Sequence, residues 1–126
     1  MSEEKILYKD LSYRIIGAAM EVHRELGPGF PEAIYDEAFA MALRAAGIAF
    51  DPQKEMRVTF RGIVLAKSFR PDYDIDGKII VDLKAKTDLP PEDVATMLSY
   101  LRASGRRLGM LINFGRVRLQ YERVLL

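Results

Sequence analysis

Three side chains between positions 72 and 84 could act together: Asp72, Asp82 and Lys84. Carboxylates brought close repel each other unless a cation lies between them. A hard divalent ion such as magnesium takes oxygen ligands, and is commonly held by one or two carboxylates plus phosphate oxygens. A lysine two residues beyond Asp82 on one strand would point the same way and could orient a water or neutralise a phosphoryl oxygen. The competing reading is a solvated sheet face with weak cross-strand ion pairs, Asp74 to Lys78 and Arg70 to Asp82.

Alternation positions these residues. Phe69, Pro71, Tyr73 and Ile75, then Ile79, Val81, Leu83 and Ala85, take the odd positions, and polar residues the even ones apart from Ile80. Such period-2 patterning predicts half-buried strands, and Asp76-Gly77 between them predicts a hairpin. A strict two-residue loop would oppose Ile75 and Lys78 and mix both faces. A loop of Ile75-Asp76-Gly77, with Gly77 left-handed, pairs Asp74 with Lys78 and keeps the faces apart. That preferred register opposes Arg70 to Asp82 and sets Asp72 diagonal to Asp82, about 7–8 Å away.

The elements on either side follow from helical and strand periods. Leu11 to Leu26 reads as an amphipathic helix capped by Asp10 and stopped by Gly27-Pro28-Gly29. A second runs from about Pro31 to Ala46, with the stripe Tyr35, Ala38, Phe39, Ala42, Leu43 and Ala46. Glu32 in its first turn complements the helix dipole, and could also be aimed at a neighbouring sheet. Ile48 to Phe50, Met56 to Phe60 and Ile63 to Leu65 are strand-like, with Arg61-Gly62 a turn. A third helix opens at Leu89-Pro90-Pro91, with Asp88 as N-cap, buries Val94, Met97/Leu98 and Leu101, and closes at Gly105. Thr96 and Tyr100 share one of its faces. Leu108 to Phe114 reads as a strand covered on both sides, and Val117, Leu119 and Tyr121 as a last strand.

Composition narrows the classes. The chain has 126 residues, enough for a single core, and residues 11–126 are expected to form one domain behind an extension of residues 1–10. There is no cysteine, which excludes disulfides and thiolate metal sites. No apolar run approaches a membrane span and Met-Ser-Glu-Glu-Lys is not a signal peptide, so no membrane partner and a cytoplasmic location are expected. Net charge is +1, but the last 26 residues carry six arginines against one acid, a stripe that could face phosphates or merely solvent. The lone His23 reads first as a capping or surface residue near a helix end.

Helix, helix, strands, carboxylate-bearing hairpin, helix and buried strand make an α/β or α+β layered domain. Gly29-Phe30-Pro31-Glu32-Ala33-Ile34-Tyr35 resembles the Gly-x-x-Glu-x-x-Tyr signature of the bacterial GxxExxY proteins, as do Glu21 to Gly29 and Arg107 to Phe114. Those proteins are grouped with the PD-(D/E)xK nuclease superfamily. Its motif is legible as Pro71-Asp72, nine intervening residues, then Asp82-Leu83-Lys84. The resemblance implies a restriction-endonuclease-like central mixed sheet flanked by helices. It further implies that Asp72, Asp82 and the Leu83 carbonyl bind magnesium or manganese, with Glu32 as a further acid and Lys84 positioning the attacking water. Metal-assisted hydrolysis of DNA or RNA would follow.

Tyr100, Thr96, Arg102, Arg106, Arg107, Tyr35 and His23 complete the candidate set as substrate contacts. Two departures stand out: Asp82 where those proteins usually carry glutamate, and Thr96-x-x-x-Tyr100 where related nucleases often show Gln-x-x-x-Tyr. The alternative function is a nuclease-fold module that binds nucleic acid or protein without cleaving. Open sheet edges also make a homodimer plausible.

Overall fold

A computed structural model describes residues 6–126; the first half of the expected N-terminal extension lies outside the described residues. The elements in chain order are α1 (Lys9–Leu26), α2 (Glu32–Ala45), β1 (Phe50–Pro52), β2 (Met56–Phe60), β3 (Ile63–Phe69), β4 (Tyr73–Ile75), β5 (Ile79–Lys84), α3 (Pro91–Ser104), β6 (Leu108–Asn113) and β7 (Gln120–Leu125). Five strands form one sheet in the order β1-β4-β5-β6-β7, and β2 pairs with β3 apart from it. Among the described residues only β5 and β6 run parallel, and α3 is the crossover between them. This is the mixed α+β architecture that the restriction-endonuclease-like expectation describes.

Helices cover both faces of the sheet. Ile15, Ala19 and Val22 of α1 and Tyr35, Phe39 and Leu43 of α2 pack on the odd-numbered side chains Tyr73, Ile75, Ile79, Val81 and Leu83. Met97 and Leu101 of α3 pack with Met56, Ile80, Leu111 and Val124 in a second, smaller core. Ile80, the lone apolar residue of the even set, therefore lies under α3. The even face is not the solvated surface that its polar residues suggest: Asp74 is 1% exposed and Asp82 8%.

The central hairpin corrects both sequence registers. Tyr73 pairs with Val81, Asp74 with Ile80 and Ile75 with Ile79. Asp76 and Gly77 both have positive φ, 55° and 64°, and Lys78 N–H donates to the Ile75 carbonyl at 2.9 Å. Two such residues make a turn whose twist suits a hairpin. Lys78 is then left over as an extra residue, which keeps odd residues opposite odd ones. Continuing that ladder places Asp72 directly opposite Asp82, not diagonal to it. Asp74 consequently does not meet Lys78: its two oxygens accept from Arg106 Nε at 3.1 Å and Nη2 at 2.8 Å. Arg70 does not oppose Asp82 either, and donates to the Gln53 carbonyl at 3.2 Å.

Smaller differences concern ends and caps. Phe69 closes β3, where it pairs with Met56, and takes no part in the β4–β5 hairpin. Helix α1 starts at Lys9, two residues early, behind Tyr8 in the left-handed region, so Asp10 lies in the first turn rather than capping it. No side chain caps α3 either, whose flanking residue is Pro90; the Asp88 carboxylate accepts from Leu89 N–H and Gln120 instead. Val117 is 86% exposed and precedes the last strand.

Candidate active site

The acids gather at the carboxyl end of β5, one of the two parallel strands, which is where α/β sheets commonly present ligand sites. Alternation sends Asp82 toward α3 while Leu83 beside it is fully buried against α1 and α2. Each of the facing aspartates is fixed by the other's strand. Asp72 N–H donates to Asp82 Oδ1 at 2.9 Å, and Leu83 N–H donates to Asp72 Oδ2 at 2.7 Å. These reciprocal bonds lock two carboxylates side by side across a two-strand ladder. On the outer side, Gln53 Nε2 reaches Asp72 Oδ1 at 3.4 Å.

Their electrostatics are those of crowded acids. Burial pushes Asp72 up to about 6, opposed by the Leu83 N–H and reinforced by the charges of Asp82, Glu32 and Asp36. Asp82 is also raised, first by burial; the Asp72 N–H and Lys84 act against it. Partial desolvation raises Glu32 as well, with Lys84 lowering it and Asp82 and Asp36 raising it. Glu32, at the exposed N-terminal turn of α2, and Lys84, at the end of β5, thus lie within electrostatic reach of the pair. Among the described residues Lys84 forms no ion pair, while Lys86 is held by Asp93 at 2.8 Å.

The donor set fits a hard divalent ion that keeps several of its own waters. Both carboxylates are raised chiefly by desolvation, which Lys84 relieves only in part at Asp82, and magnesium needs only one or two such ligands. It does not make a closed cage: among the described residues no three His, Asp or Glu side chains cluster as a metal site would require. Glu32 therefore does not complete a three-carboxylate group with Asp72 and Asp82.

The remaining candidates divide. Tyr100 lies on the α3 face toward the pair: burial raises its hydroxyl, followed by the Asp82 and Asp72 charges, and its ring stacks on Phe69 with centroids 4.6 Å apart. Thr96, one turn earlier, is exposed, as are Arg102 and Arg107. Three of the expected substrate contacts have side chains already engaged inside the protein. Tyr35 is fully buried, stacks on Phe114 at 4.7 Å, donates to the Gly27 carbonyl at 2.5 Å and accepts from Phe30 N–H at 3.1 Å. It fastens the Gly-Pro-Gly bend that delivers Glu32. His23 is 8% exposed, with Nε2 2.8 Å from the Arg116 carbonyl. Arg106 is committed to Asp74, an ion pair whose acid side chain is wholly buried.

Sequence reasoning missed Asp36, which accepts from Tyr73 Oη at 2.7 Å and adds charge beside Asp72. Its signal was available, since residues 32 and 36 are one helical turn apart. It also missed Asn113. That buried amide accepts from Lys86 N–H at 2.9 Å, donates to the Lys86 carbonyl at 3.0 Å and donates to Gln120 at 2.9 Å. Asn113 thereby pins the chain two residues beyond Lys84. A polar residue ending an otherwise apolar strand was its only trace.

Two cross-bonded carboxylates and a strand-mate lysine thus lie together at the end of a parallel strand in a mixed sheet. The model of the PD-(D/E)XK nuclease superfamily matches residues 9–124, and the chain belongs to that family. Comparison with curated proteins and with solved structures found no match. Among the described residues no helix is long and apolar enough to cross a membrane.

Proposed function

We propose that this protein is a divalent-metal-dependent phosphodiesterase acting on nucleic acid, of the GxxExxY type within its superfamily. The observation that carries the reading is the cross-bonding of Asp72 and Asp82, each carboxylate accepting an N–H from the other's segment, with Lys84 two residues on. Asp72, Asp82 and the Leu83 carbonyl would hold magnesium or manganese. Such an ion, when bound, polarises the phosphoryl oxygen, acidifies a water and stabilises the leaving oxygen.

The chain's own residues do the rest. The reciprocal backbone bonds keep the carboxylates from swinging apart, so the site is organised before substrate arrives. Lys84 presents an ammonium to a phosphoryl oxygen or to the attacking water. Glu32, whose carboxyl is raised by partial burial, would be placed to exchange a proton with that water.

Cleavage of single-stranded, duplex and branched DNA and RNA, with magnesium or manganese present, tests the reading. Wild type should cleave at least one substrate, and Lys84→Ala should lose about 100-fold or more in rate while keeping metal-dependent thermal stabilisation. Metal stabilisation and nucleic-acid binding without cleavage by wild type would instead favour a non-cleaving module. Equal cleavage by wild type and Lys84→Ala would sink the assignment of the lysine.

A further inference from the structure

A groove separate from the acidic pair runs between the β2–β3 hairpin and α3. Val58 and Thr59 of β2, Phe69 of β3 and Ser99, Tyr100 and Arg102 of α3 line a cavity of about 450 Å³. That falls within the size range of sites that hold small organic groups. Two stacked rings, Phe69 and Tyr100, line it with their planes nearly parallel, at 7°. Tyr100, which lines the groove, is close enough to Asp72 and Asp82 for their charges to act on its hydroxyl.

The β2–β3 hairpin that forms one wall of the groove is predominantly basic. From Lys54 to Arg70 the chain carries five basic residues and one acid. Lys54, Arg57 and Arg70 are engaged with Asp74 or Glu55. Among the described residues, Arg61, Lys67 and Arg102 form no ion pair. Arg61 lies over the ring of Phe60 at 5.0 Å, at a hairpin tip that also exposes Ile63 and Val64. Arg102 lines the slot itself, and an unpaired guanidinium beside two aromatic rings complements a phosphate bearing a planar base.

We infer that this groove receives an unpaired nucleotide adjoining the cleavage site, its base extending the Tyr100–Phe69 stack and its phosphate meeting Arg102. A duplex offers phosphates and groove edges but keeps its base faces stacked internally. Only an unpaired base, single-stranded or flipped out, can enter such a slot and present its π-face there. The inference deepens the nucleic-acid reading above and rests on it, though not on catalysis.

A short oligodeoxynucleotide carrying one 2-aminopurine tests it, used single-stranded and annealed as a blunt duplex, with Lys84→Ala protein and a chelator so that no cleavage occurs. Stacking should quench the fluorescence of the single strand on binding, and the duplex should bind at least about ten-fold more weakly. Tyr100→Leu, Ala103→Trp, which narrows the groove wall, and Arg102→Glu should each weaken single-strand binding roughly ten-fold. Arg24→Ala, on the distant helix α1, should leave it unchanged. Arg102 is exposed, so its replacement keeps the test meaningful even where the groove-filling variant fails to fold. Equal affinity for the duplex, or single-strand binding unaltered by Arg102→Glu in a protein that melts normally, overturns the inference. The two readings fail separately. Quenched, groove-dependent binding by a wild type that cleaves nothing in magnesium or manganese would remove the nuclease and keep the groove. Cleavage that survives all groove variants with unchanged KM would remove the groove and keep the nuclease.

Discussion

Replacing Asp72 with asparagine should stabilise the metal-free protein near neutral pH and remove its response to metal. Asparagine keeps an oxygen for the Leu83 N–H but carries no charge toward Asp82, Glu32 and Asp36. Moving a carboxylate from its ordinary 3.8 to about 6 corresponds to about 3 kcal/mol for a fully buried group, which solvent screening of this half-buried one reduces to on the order of 1 kcal/mol. For a chain of this length that is roughly 4 °C in Tm.

The sign with pH follows from proton uptake. Between about 4 and 6 the folded state binds this proton more tightly than the unfolded state does, so wild-type stability from this group falls as pH rises through that window. The advantage of Asp72→Asn should therefore be present at pH 7.5 and vanish below about pH 4. Magnesium or manganese should reverse the order, because an ion bound only by the folded wild type adds about 2.7 kcal/mol at 100 times its Kd. Thermal melts at two pH values, each with chelator and with metal, measure all four quantities. A variant that is less stable than wild type by the same amount in every condition would refute the argument: the fold would then prefer the ionised aspartate, and no charge would be waiting for a cation.

Other substitutions test the supports of the site. Arg106→Ala leaves the wholly buried Asp74 with only Lys54, 3.5 Å away, and should cost about 3 kcal/mol in a denaturant titration; adding Asp74→Asn should recover part of it. Tyr35→Phe removes the hydroxyl that holds Gly27 and Phe30, and should cost about 1–2 kcal/mol by the same measurement, with any cleavage activity reduced through a misplaced Glu32. Gly115→Ala would set a methyl group 2.2 Å from the Lys86 carbonyl oxygen, so the β5 exit must shift; a loss of about 2 kcal/mol or more is expected.

Much of the fold was legible because its periods are strong. The α2 stripe named Tyr35, Phe39 and Leu43, all fully buried, and the apolar run from Leu108 predicted a strand covered on both sides. Helix α3 was legible from its prolines and Gly105, which takes φ 75°. What escaped were contacts between elements distant in sequence. Asp74 looked like a surface acid because nothing local announces Arg106, 32 residues later. Phe69 alternates correctly for β4, yet its pairing with Met56 assigns it to another hairpin. Tyr35 and His23 were read for chemistry because polar atoms attract that reading, whereas their partners are backbone carbonyls that a sequence does not display.

The register of the β4–β5 hairpin joins these points to function. Parity alone decides which face a strand residue occupies, so the expected loop and the observed one both put Asp72 and Asp82 on the same side. The two differ by one pairing step. A diagonal pair stands about 7–8 Å apart between α-carbons, whereas a direct pair stands about 4.5–5.5 Å apart. Aspartate is one methylene shorter than the glutamate usual in the proteins this chain resembles, and across a diagonal that difference would separate the carboxylates. Directly opposite, the short side chain still reaches: Asp82 Oδ1 touches the Asp72 N–H at 2.9 Å. The extra residue at Lys78 thus sets the register in which the short side chain of Asp82 reaches Asp72. Deleting Lys78 would break the parity of the ladder and send Asp82 or the buried odd-numbered residues to the wrong face.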